Sequence, residues 1–120
     1  MDMKLELIPI PVSDIDRAKA FYIEQIGFHL DHDVQPSDNM RVVQLTPPGS
    51  ACSIAFGKGF LNTAPGSVQA LHLVVSDIKA VREELLSRGV AAGELQDLGG
   101  ILYVDFSDPD GNGWLLQQIP

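Results

Sequence analysis

The sequence predicts an α+β chain built as two βαβββ halves, and three observations carry that prediction. The tetrapeptide Val12-Ser13-Asp14-Ile15 returns as Val75-Ser76-Asp77-Ile78. Each copy follows an apolar run and opens a stretch of helical spacing that stops on glycine. Each glycine is then followed by strand-like segments separated by turn formers. Self-similarity of this kind means one supersecondary unit used twice.

The apolar runs Leu5 to Val12 and Leu71 to Val75 read as strands leading straight into a helix start, which Ser or Asp can cap. In the first helix Ile15, Ala18, Phe21, Tyr22 and Ile26 fall at helical spacing before Gly27; in the second, Ile78, Val81, Leu85 and Leu86 do so before Gly89. Strands are expected over His29 to Gln35, Met40 to Thr46 and Cys52 to Phe56, then over about Glu94 to Leu98, Ile101 to Ser107 and Trp114 to Ile119. The turns between them are Pro36-Ser37-Asp38-Asn39, Pro47-Pro48-Gly49-Ser50, Gly99-Gly100 and Asp108-Pro109-Asp110-Gly111-Asn112-Gly113. Gly57 to Val68 lacks periodicity, so one domain over 1–120 is expected, with modules at about 4–57 and 69–120 and a linker at about 58–68.

A chain of 120 residues cannot support two independent domains, which excludes separate catalytic and regulatory domains. Hydrophobic residues at 45% and charged residues at 20% describe a chain that buries a core. The net charge of −8 and a pI near 4.5 argue against nucleic acid, whose phosphates require a basic face. Cys52 is the single cysteine, which rules out an intrachain disulfide and a multi-cysteine zinc site and fits a reducing compartment. No basic segment precedes a long apolar run at the N-terminus, and no stretch approaches the ~20 apolar residues of a membrane helix. A cytoplasmic chain without a membrane partner is expected.

This element order, with a V-x-D helix entry in both halves and Asp108-Pro109-Asp110-Gly111 before the last strand, resembles the vicinal oxygen chelate superfamily. That group includes glyoxalases, fosfomycin-modifying enzymes, extradiol dioxygenases and bleomycin-binding resistance proteins. The resemblance covers roughly residues 4 to 119 and implies sheets that curl into a cup with the helices on the convex side. It also implies a homodimer, because members of this size commonly pair modules across subunits. In catalytic members a divalent metal sits in the cup, on His or Glu from the first and last strands of each module.

Carried over, the first-strand ligand lies five residues before the Val of V-x-D, at Leu7 and Ala70. The last-strand ligand of the second half lies seven residues after the first Asp of DPDG, at Leu115, and its counterpart in the first half falls near Ser53. None of these side chains is a competent His or carboxylate. No metal and no cofactor are therefore expected. Strand alternation turns Ile8, Ile10, Val12, Leu71, Leu73 and Val75 toward the helices, and Leu7, Pro9, Ala70, His72, Val74, Ser53, Ala55, Leu115 and Gln117 into the cup.

His72 keeps the ligand face but is shifted by about 7 Å along its strand. It reads either as a hydrogen-bonding or acid/base group, or as a lining His satisfied by a neighbour or water. Gln117 suits ligand orientation or simple solvation near the chain end, and Tyr103 either lines the mouth or is only a good strand former. Ser53 is a polar contact without a His–acid pair to activate it as a nucleophile. Alternation places His29 and Asp31 on one face and His32 on the other, so these residues and Asp33 read as a solvated edge strand. Cys52, out of phase with Ser53, is expected as a buried, inert thiol.

The expected function is metal-independent binding of a small apolar or aromatic molecule in the cup, with His72, Gln117, Ser53, Tyr103, Leu7, Pro9, Ala70 and Leu115 as the binding residues. The alternative is an enzyme, either glyoxalase-like or dioxygenase-like with a divalent metal on unusual ligands, or using metal-free acid/base chemistry at His72.

Overall fold

The computed structural model describes residues 1–120. The first half runs β1 (Leu7–Pro9), α1 (Ile15–Ala20), β2 (His29–Ser37), β3 (Met40–Thr46) and β4 (Ser53–Lys58). The second runs β5 (Leu71–Val74), α2 (Ile78–Ser87), β6 (Gln96–Leu98), β7 (Ile101–Ser107) and β8 (Gly113–Gln118). The strands form two mixed four-stranded sheets of identical topology, β1-β4-β3-β2 and β5-β8-β7-β6, in which the first strand lies parallel to the last. The fold is α+β, with curled open sheets and βαβββ repeats.

The repeated Asp residues act as helix caps. Asp14 accepts from the Arg17 amide at 3.0 Å and Asp77 from the Ala80 amide at 3.1 Å. Gly27 (φ 87°) and Gly89 (φ 83°) take the left-handed conformation that ends each helical segment. Beyond Ala20 the first helix departs from the expected continuous α-helix. Residues Phe21–Ile26 widen into π-helical turns, closed by the Gly27 and Phe28 amides donating to the Tyr22 carbonyl. The wider turn lets neighbouring Phe21 and Tyr22 both reach the core.

Two strands are shorter than expected. β1 pairs over three residues, flanked by single bonds from the Ser53 amide to Glu6 O and from the Ile10 amide to Ala55 O. β6 starts at Gln96; before it, Gly93 donates its amide to Asp105 O on β7 at 2.8 Å, and its carbonyl accepts from Arg82 Nε at 2.7 Å. No helix is long and apolar enough to cross a membrane.

The core-facing residues of both halves join in one cluster, including Ile10, Val43, Leu45 and Phe56 from the first and Ile78, Val104, Phe106 and Leu116 from the second. Tyr22 makes the join. Its ring lies 5.8 Å from Phe56 in its own half and 5.9 Å from Trp114 in the other. Its hydroxyl donates to Asp108 at 2.9 Å and accepts from Trp114 Nε1 at 3.0 Å. Burial, then the adjacent Asp108 charge, pushes the Tyr22 phenol far above its ordinary range, so it remains a neutral donor. Asp108 also accepts from Asn112 Nδ2 at 2.8 Å and from the Asp110 and Asn112 amides, both at 2.9 Å. Asn112 Nδ2 reaches back to Pro11 O at 2.8 Å. The DPDG turn thus ties the two halves together.

Candidate functional site

Cross-strand register defines the face opposite the core. On the first sheet Leu7 sits beside Ser53 and Pro9 beside Ala55, with Gln44 and Thr46 alongside on β3. On the second, His72 pairs with Leu115, Val74 with Gln117, Gln117 with Tyr103, and Tyr103 with Gln96. The expected faces hold for these strand residues. Ala70 departs from them. Its φ of 61° takes it out of the strand, and it contributes its carbonyl, which accepts from His72 Nδ1 at 2.7 Å.

His72 borders three separate cavities. One of about 300 Å³ is lined by His72, Gln96, Leu98, Tyr103 and Leu115. A second, about 330 Å³, lies between the Pro47–Ser50 loop and residues His72, Leu73 and Val74. The third, about 210 Å³, occupies the seam between the halves, where Ser53, Ile8 and Leu5 face His72, Leu71 and Trp114. The His72 ring meets the Tyr103 ring edge-on at 6.1 Å, and Gln117 Nε2 donates to the Tyr103 hydroxyl at 3.2 Å.

The structure therefore gathers His72, Tyr103 and Leu115, with Gln117 steadying Tyr103 and Ser53 joining across the seam. Leu7 and Pro9 line none of these hollows. Ala70 lies in a fourth one, about 240 Å³, with Gln69, Asp105 and Leu115. Sequence reasoning passed over Gln96 and Leu98. The Gly99-Gly100 turn held the signal: a two-residue hairpin pairs Leu98 with Ile101, which puts Gln96 opposite Tyr103 on the same face.

Two further expectations are corrected. A register shift between Leu30 and His32 breaks the alternation of β2, so that His29 pairs with Thr46 and His32 with Gln44. Both histidines consequently share the face opposite the core. Thr46 Oγ1 donates to Asp31 and lies 2.6 Å from Ser53 Oγ, while His29 Nε2 is 3.9 Å from Asp31. Asp33 turns the other way, to Lys19 Nζ at 2.9 Å and to Arg41 at 2.8 and 3.0 Å. The Arg41 hydrogen bonds, with help from Lys19, hold its carboxyl well below the usual carboxylate range. Cys52 is half-buried rather than buried and borders the seam cavity.

The positions that carry metal ligands in catalytic members of the resembled superfamily do not fit a divalent cation here. Leu7, Ala70 and Leu115 have no side-chain lone pair to offer, and Ser53 has only a hydroxyl already engaged with Thr46. Register makes Ala55 the partner of Pro9 as Leu115 is of His72, so the structural counterpart of Leu115 is equally inert. No group of three or more His, Cys, Asp or Glu side chains converges anywhere in the chain.

Several known proteins are similar to this chain. The crystal structure of TnmS3, an antibiotic binding protein from Streptomyces sp. CB03234, superposes with a TM-score of 0.90 at 36% identity, covering 99% of this chain and 98% of that one. A glyoxalase/bleomycin resistance protein from the same organism gives a TM-score of 0.83 at 37% identity over 96% of this chain and 100% of that one. The uncharacterized protein YetH of Bacillus subtilis (strain 168) is 25% identical over 122 aligned residues, 98% of this chain and 100% of its own length. Residues 4–116 match the Glyoxalase/Bleomycin resistance protein/Dioxygenase superfamily, and with the repeated βαβββ sheets this establishes that the chain belongs to it.

Proposed function

We propose that this chain is a binding protein that holds a small apolar or aromatic molecule against His72 without a metal. The observation that carries the reading is the convergence of three cavities on one exposed imidazole, flanked by the Tyr103 ring and by Leu71, Leu98 and Leu115. Concave apolar walls with a few oriented polar groups are what small-molecule sites require. Its similarity to an antibiotic-binding protein over nearly the whole chain supports binding rather than turnover. The inert side chains at Leu7, Ala70 and Leu115 support metal independence.

The reading includes a homodimer. β1 and β5 are open sheet edges, and Val74 and Leu98 leave 65% and 60% of their surface exposed beside the site. A second copy would cover them.

One-ring probes test the binding. Toluene and phenol should shift the amide resonances of Leu71, His72 and Leu115, with no effect of chelator and no stoichiometric divalent metal in the purified protein. Replacing His72 by Ala should weaken phenol about 2- to 12-fold, the equivalent of one hydrogen bond, with the melting temperature preserved. A fully occupied metal in the site, or unchanged affinity with a lowered melting temperature, would overturn the reading.

A further inference from the structure

We propose that the seam cavity is selective for ligands that bring hydrogen-bond donors, such as phenols, alcohols or amines on an apolar ring; this rests on the binding reading above. Five of its lining residues carry a side-chain donor, and each spends its proton inside the protein. Trp114 Nε1 donates to the Tyr22 hydroxyl at 3.0 Å. Ser50 Oγ donates to Cys52 O at 2.9 Å, and Cys52 Sγ to Ser53 O at 3.6 Å. His72 Nδ1 lies 2.7 Å from Ala70 O; a carbonyl only accepts, so the neutral ring carries its proton on Nδ1 and keeps Nε2 as an acceptor.

Ser53 is settled by proton counting. Thr46 has one hydroxyl proton and donates it to Asp31, whose carboxylate has none to give back. The 2.6 Å contact between the two hydroxyls must then use the Ser53 proton. The chain is polarised in one direction, from Ser53 through Thr46 to the Asp31 anion, and such chains strengthen the terminal acceptor. Ser53 is 5% exposed and offers the cavity lone pairs only. The side-chain polar atoms that these lining residues keep for a ligand are therefore acceptors, Ser53 Oγ and His72 Nε2 among them. A ligand carbonyl or ether placed there meets no free side-chain donor, while a hydroxyl or ammonium meets acceptors. The net charge of −8 acts in the same direction on cationic ligands.

A cavity of about 150 Å³ already accommodates benzene, so the 210 Å³ here admits one aromatic ring. Phenol, anisole and toluene present a donor, an acceptor and neither. Titrations followed by amide shifts at Ser53 and Leu71 give the three affinities, and the phenol-to-anisole ratio cancels between variants any difference in their transfer from water. Thr46→Val frees the Ser53 proton for the cavity, so the ratio should fall about 3- to 10-fold, the scale of one hydrogen bond. Ser53→Ala should lower it similarly by removing the acceptor, and carries the test if the first variant fails to fold. Toluene bound with the ratio unchanged would overturn donor selectivity alone. Failure of toluene to bind the wild-type protein would overturn both this inference and the binding reading.

Discussion

Asp108 shows how much one side chain holds. It is 5% exposed and accepts four hydrogen bonds, from the Tyr22 hydroxyl, the Asn112 amide nitrogen and two backbone amides. Asp108→Ala would leave the Tyr22 hydroxyl and the Asn112 backbone amide buried without that acceptor, so urea unfolding should show a loss of about 3 kcal/mol. A change within 0.5 kcal/mol of zero, typical of ordinary surface positions, would mean that water replaces the carboxylate at no cost. Sequence reasoning marked DPDG as a turn before the last strand but not as an anchor, because its Tyr22 partner lies 86 residues away. The site divides in the same manner. His72, Leu115 and Gln117 were legible because period two fixes their face. Ala70 was not. Its backbone is held from the neighbouring Gln69, whose Nε2 donates to Gly66 O and Gly111 O, both at 3.1 Å, and such long-range anchoring leaves no local pattern.

Among the elements, α1 is fastened to its sheet by charge as well as by packing. Lys19 and Asp16 on the helix meet Asp33 on β2 and Arg41 on β3. Asp33 has a folded-state pKa below its unfolded value of about 3.8. Its stabilising contribution is therefore full above about pH 4 and is lost as the pH falls further toward the folded value. Melting curves of wild type and Asp33→Asn should differ at pH 7, and the gap should close progressively below about pH 4; a constant gap would show that the ion pairs do not stabilise the fold. The helix ends were readable at once, since Asp14, Asp77, Gly27 and Gly89 act through local backbone chemistry. The bulge in β2 was not, because nothing within His29-Leu30-Asp31-His32-Asp33 says which residue lacks a partner on β3. Pairing decides that, and pairing is set by the whole sheet.

The molecule measures 47 × 41 × 23 Å, with its two sheets joined through side chains rather than by a shared hydrogen-bond ladder. Each sheet leaves an edge at its first strand, and the proposed homodimer follows from covering those edges together with Val74 and Leu98. Sedimentation equilibrium at micromolar protein should return twice the chain mass of 13.0 kDa. A sharp single-chain mass would count against the dimer. The join through Tyr22 also imposes an order in time. Its hydroxyl and ring wait for Trp114, which follows 92 residues later. At about 5–20 residues per second of synthesis, that is a delay of roughly 5–18 s. Throughout that interval the aromatic cluster of the emerging first half lacks its Trp114 face and its Asp108 acceptor, so this is the stretch of synthesis in which that apolar surface is open to other chains.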